Sequence, residues 1–292
     1  MLQYYCKLFS NFTHILKGEM KKMNKKMMSQ KIVTSLLAVT CILTIGGSIF
    51  ATKAAAGKNQ DEGFSVEANY FNPSLTFAVK SSSIAFNGGS VDFKNDLGMT
   101  DKSFMDYRIH FGDGFRVSYM NIGYAGNGTL SQSLTYQGNT YNANANVTSN
   151  LDLKYARVTF IKPITHFFGM TTKLLLDLKG FDISAQVTGI DSTTHTIQTG
   201  QRKFRGAIPT VGFAVDNQLG DNVKIYTEVT GLPLGKYGHF YDGEIGVKYE
   251  APNNISVAAG YRSFDLNVKD PSNGDHVQFK MAGPFANAEY KF

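Results

Sequence analysis

The sequence predicts an all-β protein that forms an antiparallel up-and-down transmembrane β-barrel, with ten strands as the expected number and eight as the alternative. Three observations support this fold class: a secretory leader, alternating stretches separated by turns, and an aromatic C terminus. The recurring alternating stretches fit strands that cross a bilayer, which need about 9 to 11 residues. An edge strand of a soluble β-sandwich is the alternative for any single stretch.

The C-terminal strand shows the alternation most clearly. Phe292, Tyr290 and Ala288 share one face, whereas Lys291 and Glu289 share the other, as in a strand with one apolar side. Membrane barrels carry aromatic girdles where their wall meets the bilayer surface. Tyr290 and Phe292 are therefore predicted to form the C-terminal assembly signal of a bacterial outer-membrane barrel.

Residues 1–56 are predicted to be a leader, and residues 57–292 the barrel domain. Basic residues at 21–31 precede an apolar run at 32–50, and small residues follow it up to Ala56, which is the organisation of a cleaved secretory signal peptide. An uncleaved membrane anchor is the alternative, because the apolar run is long enough to span a bilayer.

Translation is expected to begin within the methionine cluster at positions 20, 23, 27 and 28, so that residues 1–19 or 1–26 would precede the native start. Both cysteines, Cys6 and Cys41, fall in the leader. The mature chain therefore has no disulfide, thiol nucleophile or thiolate metal site.

The formal charge of +6 also belongs to the leader. Eight of the 29 Lys and Arg residues, but only one of the 23 acids, lie in residues 1–56, which leaves 21 bases and 22 acids in the barrel domain. A net charge of −1 gives no indication of nucleic-acid binding.

The first strand is predicted from Phe64 to Tyr70. Its apolar residues occupy even positions, whereas Leu75, Phe77 and Val79 occupy odd positions after the Asn72-Pro73 pair. Because proline cannot donate a ladder hydrogen bond and often marks an irregular strand, this change of phase predicts a β-bulge.

The later strands are predicted around 105–111, 115–119, 155–161, 174–178, 207–215, 223–230, 241–249 and 255–261, followed by the C-terminal strand. Short turns at 112–114, 162–166, 217–222 and 252–254 alternate with longer connections. Short turns lie on the periplasmic side of such barrels, so both termini are predicted to be periplasmic. One local repeat relates 178–184 to 261–267, LKGFDIS to YRSFDLN.

The hairpin at about 126–150 has no charged residue and continues to alternate beyond bilayer length. Leu130, Leu134 and Tyr136 are predicted to oppose Tyr141 and its neighbours across a turn near Gly138. The hairpin is expected to project from the membrane and to offer an apolar face to an extracellular ligand. A shielding loop without a specific partner is the alternative.

The polar faces of the strands are predicted to line a lumen. Their charges are nearly balanced in sign, and buried charges must be paired, which favours a side-chain-filled barrel with a structural or surface-interaction role. A narrow channel for small solutes is the alternative, and an embedded hydrolase is a weaker one. The predicted lumen network is Glu67, Asp106, Arg108, His110, Lys173, Asp177, Lys224, Glu228, Asp242, Glu244, Lys248 and Arg262.

No catalytic, cofactor or metal site is predicted. His110 near Asp106, and His239 near Asp242, are the candidate general-base pairs, but neither belongs to a recognised catalytic motif. Asp92, Asp96 and Asp101 do not have the spacing of a calcium loop; we expect these acids to be solvated.

Four motifs carry a resemblance to known proteins: Val91-Asp92 with DLGM at 96–99, TGLPLG at 230–235, GYR at 260–262 and GPF at 283–285. These motifs are spread over most of the mature chain. In them the sequence resembles small outer-membrane β-barrel proteins of diderm bacteria. The resemblance implies an integral outer-membrane location, contact with outer-membrane lipids and the barrel-assembly machinery, and a monomer. It implies no agreed biochemical role.

Overall fold

The computed structural model describes residues 63–80, 84–86, 90–167, 169–272 and 274–292. The predicted leader, 1–56, lies outside the described residues. Strands dominate, and one short 3-10 turn spans Gly235–Tyr237. Within these ranges, no helix is both long and apolar enough to cross a membrane.

The strands are β1 (Phe64–Phe71), β2 (Ser74–Lys80), β3 (Ile84–Phe86), β4 (Val91–Asp92), β5 (Phe104–Phe111), β6 (Phe115–Thr129), β7 (Leu134–Tyr136), β8 (Asn139–Tyr141), β9 (Asn146–Phe167), β10 (Met170–Ile190), β11 (Ile197–Gln218), β12 (Val223–Pro233), β13 (Gly238–Glu250), β14 (Ile255–Lys269) and β15 (His276–Lys291). Neighbours pair in the order β1-β5-β6-β9-β10-β11-β12-β13-β14-β15, and β15 pairs back to β1. With β1 and β2 forming one wall strand, the ten-strand antiparallel barrel is confirmed.

The predicted bulge at Asn72-Pro73 is wrong, as the strand pairing that closes the barrel shows. β15 pairs with β1 from Ser65↔Lys291 to Phe71↔Phe285 and with β2 from Ser74↔Ala282 onward, in one unbroken register. Odd-numbered residues face the lumen throughout β1 and β2. The apolar residues change position because the lumen itself changes from polar to apolar along this strand.

One end of the barrel, which we call the terminal rim, carries Gly63, Phe292 and the short turns. The predicted turn at 162–166 is wrong, because β9 continues to Phe167 and β10 begins at Met170. The β9–β10 register shifts between Thr172 and Lys173. The extra residue is Ile164, next to Pro163, whose missing N–H interrupts the ladder.

The outside of the barrel is apolar. Many large apolar side chains are exposed around the wall, which is costly in water but required of a wall that faces lipid. They are Phe64, Val66, Tyr70, Tyr107, Ile109, Phe111, Tyr119, Phe160, Leu176, Phe213, Val229, Tyr241, Ile245, Val247, Tyr249, Ile255, Val257, Tyr261, Tyr290 and Phe292. With a buried polar set inside, this is the architecture of an outer-membrane β-barrel.

At the end opposite the terminal rim, strands β6, β9, β10 and β11 rise above the other strands as a four-stranded extension. The β10–β11 ladder is the longest and pairs Met170↔Asn217 through to Ile190↔Ile197. At about 3.3 Å per residue this ladder is roughly 70 Å long, about twice the thickness of a hydrocarbon core.

The uncharged hairpin differs from the prediction in its direction. The β6–β9 ladder ends at Thr129↔Asn146, and residues 130–145 fold over the extension, where β3, β7 and β8 form a small separate sheet. Gln137 and Gly138 have positive φ angles of 53° and 84°, as a two-residue hairpin turn requires. The predicted apolar face is buried rather than presented: Leu130, Leu134, Tyr136 and Tyr141 are at most 3% exposed.

Candidate functional site

The lumen contains a network of charged and polar side chains to which all ten wall strands contribute. All its members except Asn287 are buried. Each member has a partner within the network, and several partners lie on non-adjacent strands. The network therefore joins opposite walls across the pore. We call this set the charged layer: Glu67, Asp106, Arg108, Arg116, Arg157, Asp177, Lys179, Thr210, Glu228, Asp242, Glu244, Arg262 and Asn287.

Arg108 on β5 joins one side of the layer to the other. Its two terminal nitrogens bond both carboxylate oxygens of Glu244 at 2.9 and 2.8 Å, and its Nε donates to Asp106 at 2.9 Å. Glu67 lies 3.3 Å from the same guanidinium and accepts a hydrogen bond from Asn287 at 3.0 Å. Paired forks of this kind fix geometry as well as charge.

Asp242 on β13 is the most connected carboxylate. Arg262 donates to both of its oxygens at 3.1 Å, the Lys179 ammonium lies 3.0 Å away, and the Tyr155 hydroxyl donates at 3.1 Å. Arg262 also binds Asp106 at 2.7 Å. Removing one partner from such a buried set leaves an uncompensated charge.

Glu228 on β12 completes the layer. Arg116 and Arg157 reach one of its oxygens at 2.6 and 2.5 Å. Arg157 also contacts Asp177 at 2.9 Å, and Asp177 accepts a hydrogen bond from Thr210 at 3.2 Å. Two arginines on β6 and β9 are thereby held together by a single carboxylate.

Above the charged layer, on the side away from the terminal rim, the same inner face becomes apolar. We call this second set the aromatic layer: Phe71, Leu75, Phe77, Phe93, Leu97, Met99, Phe104, Met120, Ile122, Tyr124, Phe181, Phe240, Phe264, Phe279, Met281 and Phe285. Phe264 lies 4.9 Å from Phe240, 5.8 Å from Phe279 and 6.1 Å from Phe181 between ring centroids. All are buried, so the layer fills the pore.

The two layers meet through cation–π contacts. The Lys179 ammonium lies 5.0 Å from the centroid of Phe240, and the Arg262 guanidinium lies 5.7 Å from that of Phe71. Desolvated contacts of this type are favourable. They allow two bases of the charged layer to lie directly beneath aromatic rings.

An inward-folded segment, 90–101, completes the aromatic layer. Its backbone lies flat on β6 and β9: Met99 bridges to Gly126, and the Ser149 hydroxyl donates to the Leu97 carbonyl at 3.2 Å. Gly98 has a φ of +68°, and a Cβ there would lie 2.2 Å from the Asn127 carbonyl oxygen. The DLGM motif therefore needs glycine for both conformation and contact.

A cavity of about 470 Å³ opens at the terminal rim and ends at the charged layer. Four of the predicted lumen residues lie here rather than in the sealed network, and each has an acidic partner. The pairs are His110 with Glu67 at 3.3 Å, Lys173 with Asp216 at 2.7 Å, Lys224 with Glu250 at 2.7 Å, and Lys248 with Glu289.

The structure places all twelve predicted lumen residues on the inner face, eight in the charged layer and four in the cavity. The sequence analysis missed three charged members of the charged layer, Arg116, Arg157 and Lys179. It also missed the three acids that pair with lysines in the cavity, Asp216, Glu250 and Glu289. In each strand the inward-facing residues are either all odd-numbered or all even-numbered, and each missed residue follows the rule of its own strand. Applying this alternation strictly would have found them. Of the two predicted assembly residues, Phe292 stacks on Phe64 with ring centroids 4.3 Å apart, and Tyr290 packs edge-on against Phe292.

Neither candidate general-base pair forms. His110 contacts Glu67, whereas Asp106 is bound by Arg108 and Arg262. His239 stacks on Tyr241 on the outer face, while Asp242 points inward.

The acidic loop forms local hydrogen bonds rather than a metal cage. Asp92 accepts the N–H groups of Lys94 and Asn95, and Asp101 binds the Leu75 N–H at 2.8 Å and the Lys94 ammonium at 2.7 Å. No cluster of three or more potential metal ligands occurs in the described part of the chain. These acids remain partly exposed, as expected of a solvated loop, and in addition they hold the turn.

The small sheet is fastened to the extension by its tyrosines. Tyr136 donates to the Ala185 carbonyl at 3.1 Å, Tyr141 to the Val187 carbonyl at 3.2 Å, and burial raises the pKa of Tyr136 to about 12. The backbone N–H groups of Thr194 and Thr140 hold the pKa of Asp191 below its ordinary value. This end of the protein is therefore a packed element rather than a mobile loop.

No protein-family model matches the chain, and no curated protein matches it. Among solved structures, the outer membrane protease OmpT from Escherichia coli is 10% identical, with 82% of this chain and 99% of that chain covered and a TM-score of 0.49. The translocator domain of the autotransporter NalP from Neisseria meningitidis is 11% identical over 89% and 98%, with a TM-score of 0.45. The attachment invasion locus protein Ail of Yersinia pestis, in complex with the heparin analogue sucrose octasulfate, is 11% identical over 79% and 99%, with a TM-score of 0.31.

Proposed function

We propose that the protein is an integral outer-membrane β-barrel with a sealed lumen, which holds a rigid interaction element at the cell surface. The observation that carries the proposal is the pair of stacked layers. A ten-strand barrel is only slightly wider than one that side chains alone can fill, and here both layers span the pore from wall to wall.

The orientation is part of the proposal. Short turns face the periplasm in outer-membrane barrels, and longer elements face outward, so the terminal rim would be periplasmic and the extension external. Closure of β15 on β1 leaves no unpaired edge at the seam, which supports a monomer. The expected partners are outer-membrane lipids along the apolar belt and the assembly machinery at Tyr290 and Phe292, without nucleic acid or a cofactor.

The role of the extension is inferred from its rigidity. Its core is formed by Leu130, Leu134, Tyr136, Tyr141 and Val187, all buried. A pre-ordered surface loses little conformational entropy when it binds a partner. The predicted ligand site at 126–150 is thereby proposed to be the extension as a whole rather than the apolar face of one hairpin.

A narrow channel remains the second candidate, and the cavity at the terminal rim favours it. The cavity opens the lumen from the terminal rim as far as the charged layer, and its lysines and acids would attract small ions. It ends, however, at carboxylates and guanidinium groups that are paired with each other, so permeation would require at least part of the charged layer to open. We propose no catalytic role.

Labelling on intact cells tests the orientation and surface exposure. Thr193→Cys places a thiol in the exposed β10–β11 connection, and Asp221→Cys places one in a short turn of the terminal rim. A membrane-impermeant maleimide should label the first variant on intact cells and the second only after lysis. The parent chain, whose two cysteines lie in the predicted leader, should remain unlabelled. Labelling of Asp221→Cys on intact cells would contradict the proposal.

A further inference from the structure

The half of β11 farther from the terminal rim, residues 197–210, has no paired strand on one of its two sides within the part of the chain that the structure describes. It pairs with β10 along its whole length, but β11 pairs with β12 only from Val211↔Gly231 downward. Two residues further in that register, Pro209 would lie opposite Pro233. Neither proline can donate a ladder hydrogen bond, so the two strands separate there. We call residues 197–210 the open edge.

The open edge has no strand partner on this side among the described residues. A long edge of this kind exposes alternate backbone N–H and C=O groups and is a template for another strand. Proteins ordinarily cover, shorten or twist such edges. Here the edge continues for more than the length of a typical strand.

The middle of the open edge, residues 201–205, is exposed on both faces. Arg202 and Phe204 point to one side and Lys203 and Arg205 to the other, and all four are exposed. Phe204 is 54% exposed, and its ring lies over Gly206, where a Cβ would come within 3.0 Å of it. The strand therefore presents one held aromatic ring beside its unpaired backbone.

The charge of the open edge indicates what it would accept. Residues 197–210 contain three bases and no acid. Arg205 pairs with Asp182 at 2.9 Å, and Lys203 has no hydrogen-bond or ion-pair partner in the described chain. A second copy of this edge would place like charges opposite one another, which is unfavourable. A strand with acidic side chains would be complementary in both charge and backbone.

We propose that the open edge binds an extended acidic segment of a partner protein, which adds to the extension as a further β-strand. Main-chain hydrogen bonds would supply affinity and alternate side chains specificity: acidic groups facing Lys203, and an apolar group packing on Phe204. An anionic lipid would match the charge but would leave the backbone groups unpaired. The inference rests on the proposed outward position of the extension.

The test uses the full chain in detergent micelles and a labelled synthetic peptide of about ten residues, a typical strand span, in which Glu alternates with Val and Thr. A second peptide has the same sequence and charge but is N-methylated at alternate residues, on the edge that would face β11. Because strand addition depends on main-chain hydrogen bonds, the methylated peptide should bind about tenfold more weakly or not at all. Equal binding of the two peptides would overturn the proposal.

Matched variants locate the site. Lys203→Glu on the open edge should weaken binding of the unmethylated peptide by about tenfold, because it reverses a charge at a complementary interface. Lys154→Glu makes the same change on the exposed face of β9, two strands away, and should leave binding within about twofold. Heat-modifiable migration on gels checks that both variants are folded.

Other results would contradict the inference. Equal weakening by both variants would mean non-specific attraction. Binding of short-chain phosphatidylglycerol that Lys203→Glu abolishes, without any binding of the peptide, would assign the bases to lipid. A sealed barrel that does not bind the peptide would contradict this inference and leave the proposed function unaffected. A conducting barrel that binds the peptide would contradict the sealed lumen of the proposed function and support this inference.

Discussion

The charged layer and the aromatic layer occupy the same inner face of the same strands, yet they close the lumen by different physics. In the charged layer, each carboxylate is held by guanidinium or ammonium groups at defined distances, and Asp242 has three partners within 3.1 Å. In the aromatic layer, rings such as Phe264 and Phe240 contact one another edge to face without any required pairing.

This difference predicts different responses to damage. Charge pairs are directional, and a missing partner leaves a charge buried. When an apolar side chain is shortened, the protein loses the transfer free energy of the removed atoms and pays for the cavity that remains. Neighbouring side chains can relax into this cavity and reduce the loss. Single substitutions should therefore be most harmful in the charged layer, although the aromatic layer buries more residues.

The largest effect is expected for Glu228→Lys. It removes the carboxylate shared by Arg116 and Arg157 and adds a third positive charge, so the free energy of unfolding should fall by roughly 3 to 5 kcal/mol or more. Urea unfolding of the barrel in lipid vesicles measures it. The matched control is Glu250→Lys, at the partly exposed terminal rim beside Lys224, which should cost about 1 kcal/mol or less. Similar losses for both would mean that water penetrates the charged layer.

Phe264→Ala should come next. Phe264 is 1% exposed and contacts the rings of Tyr155, Phe240 and Phe279, so truncation should cost about 3 kcal/mol. The variant should stay closed to ions, because the charged layer below it is unchanged. Tyr261→Ala, on the lipid face of the same strand, is the control and should cost less. Open channels in Phe264→Ala would show that the aromatic layer alone seals the pore.

Gly98→Ala should have a smaller effect, roughly 1 to 3 kcal/mol, since the left-handed conformation is strained for alanine and the new Cβ would collide with Asn127. Gly138→Ala has a similarly positive φ but no atom within 4 Å of the new Cβ. The control should therefore lose only the conformational part, about 1 kcal/mol. Equal losses in thermal unfolding would mean that the inward segment 90–101 is not packed as described.

The strand content and parity of the barrel were predictable because each wall strand has one lipid face and one lumen face. The point along each strand at which the lumen changes from charged to apolar was not predictable. Along β1 and β2 the apolar set moves from Phe64 and Val66 outside to Phe71 and Leu75 inside, and a single sequence cannot distinguish this from a slipped register. The structure resolves it through the unbroken pairing with β15.

The local repeat was visible in the sequence, but its meaning depended on the layers. Lys179 and Arg262 occupy equivalent positions, and both bind Asp242. Two residues later, Phe181 and Phe264 enter the aromatic layer 6.1 Å apart. A base followed by an inward aromatic thus marks the boundary between the two layers on both strands.

The extension was the least predictable region. Residues 201–205 of β11 have no apolar alternation, because both of their faces are exposed, so periodicity gives no signal there. The direction of residues 130–145 was also hidden, since alternation fixes which side chains share a face but not whether the hairpin continues upward or folds over a neighbouring strand. The tertiary contacts of Tyr136 and Tyr141 decide it.

Single-channel recording in planar lipid bilayers tests the central claim, that two independent layers close the lumen. The protein is refolded, shown by heat-modifiable migration to be folded, and inserted into the bilayer at high salt. Because both the charged and the aromatic layer span the pore, the account predicts no conductance above the bare bilayer over the usual voltage range. Reproducible steps whose size rises with salt concentration would mean an open path through both layers and would contradict it.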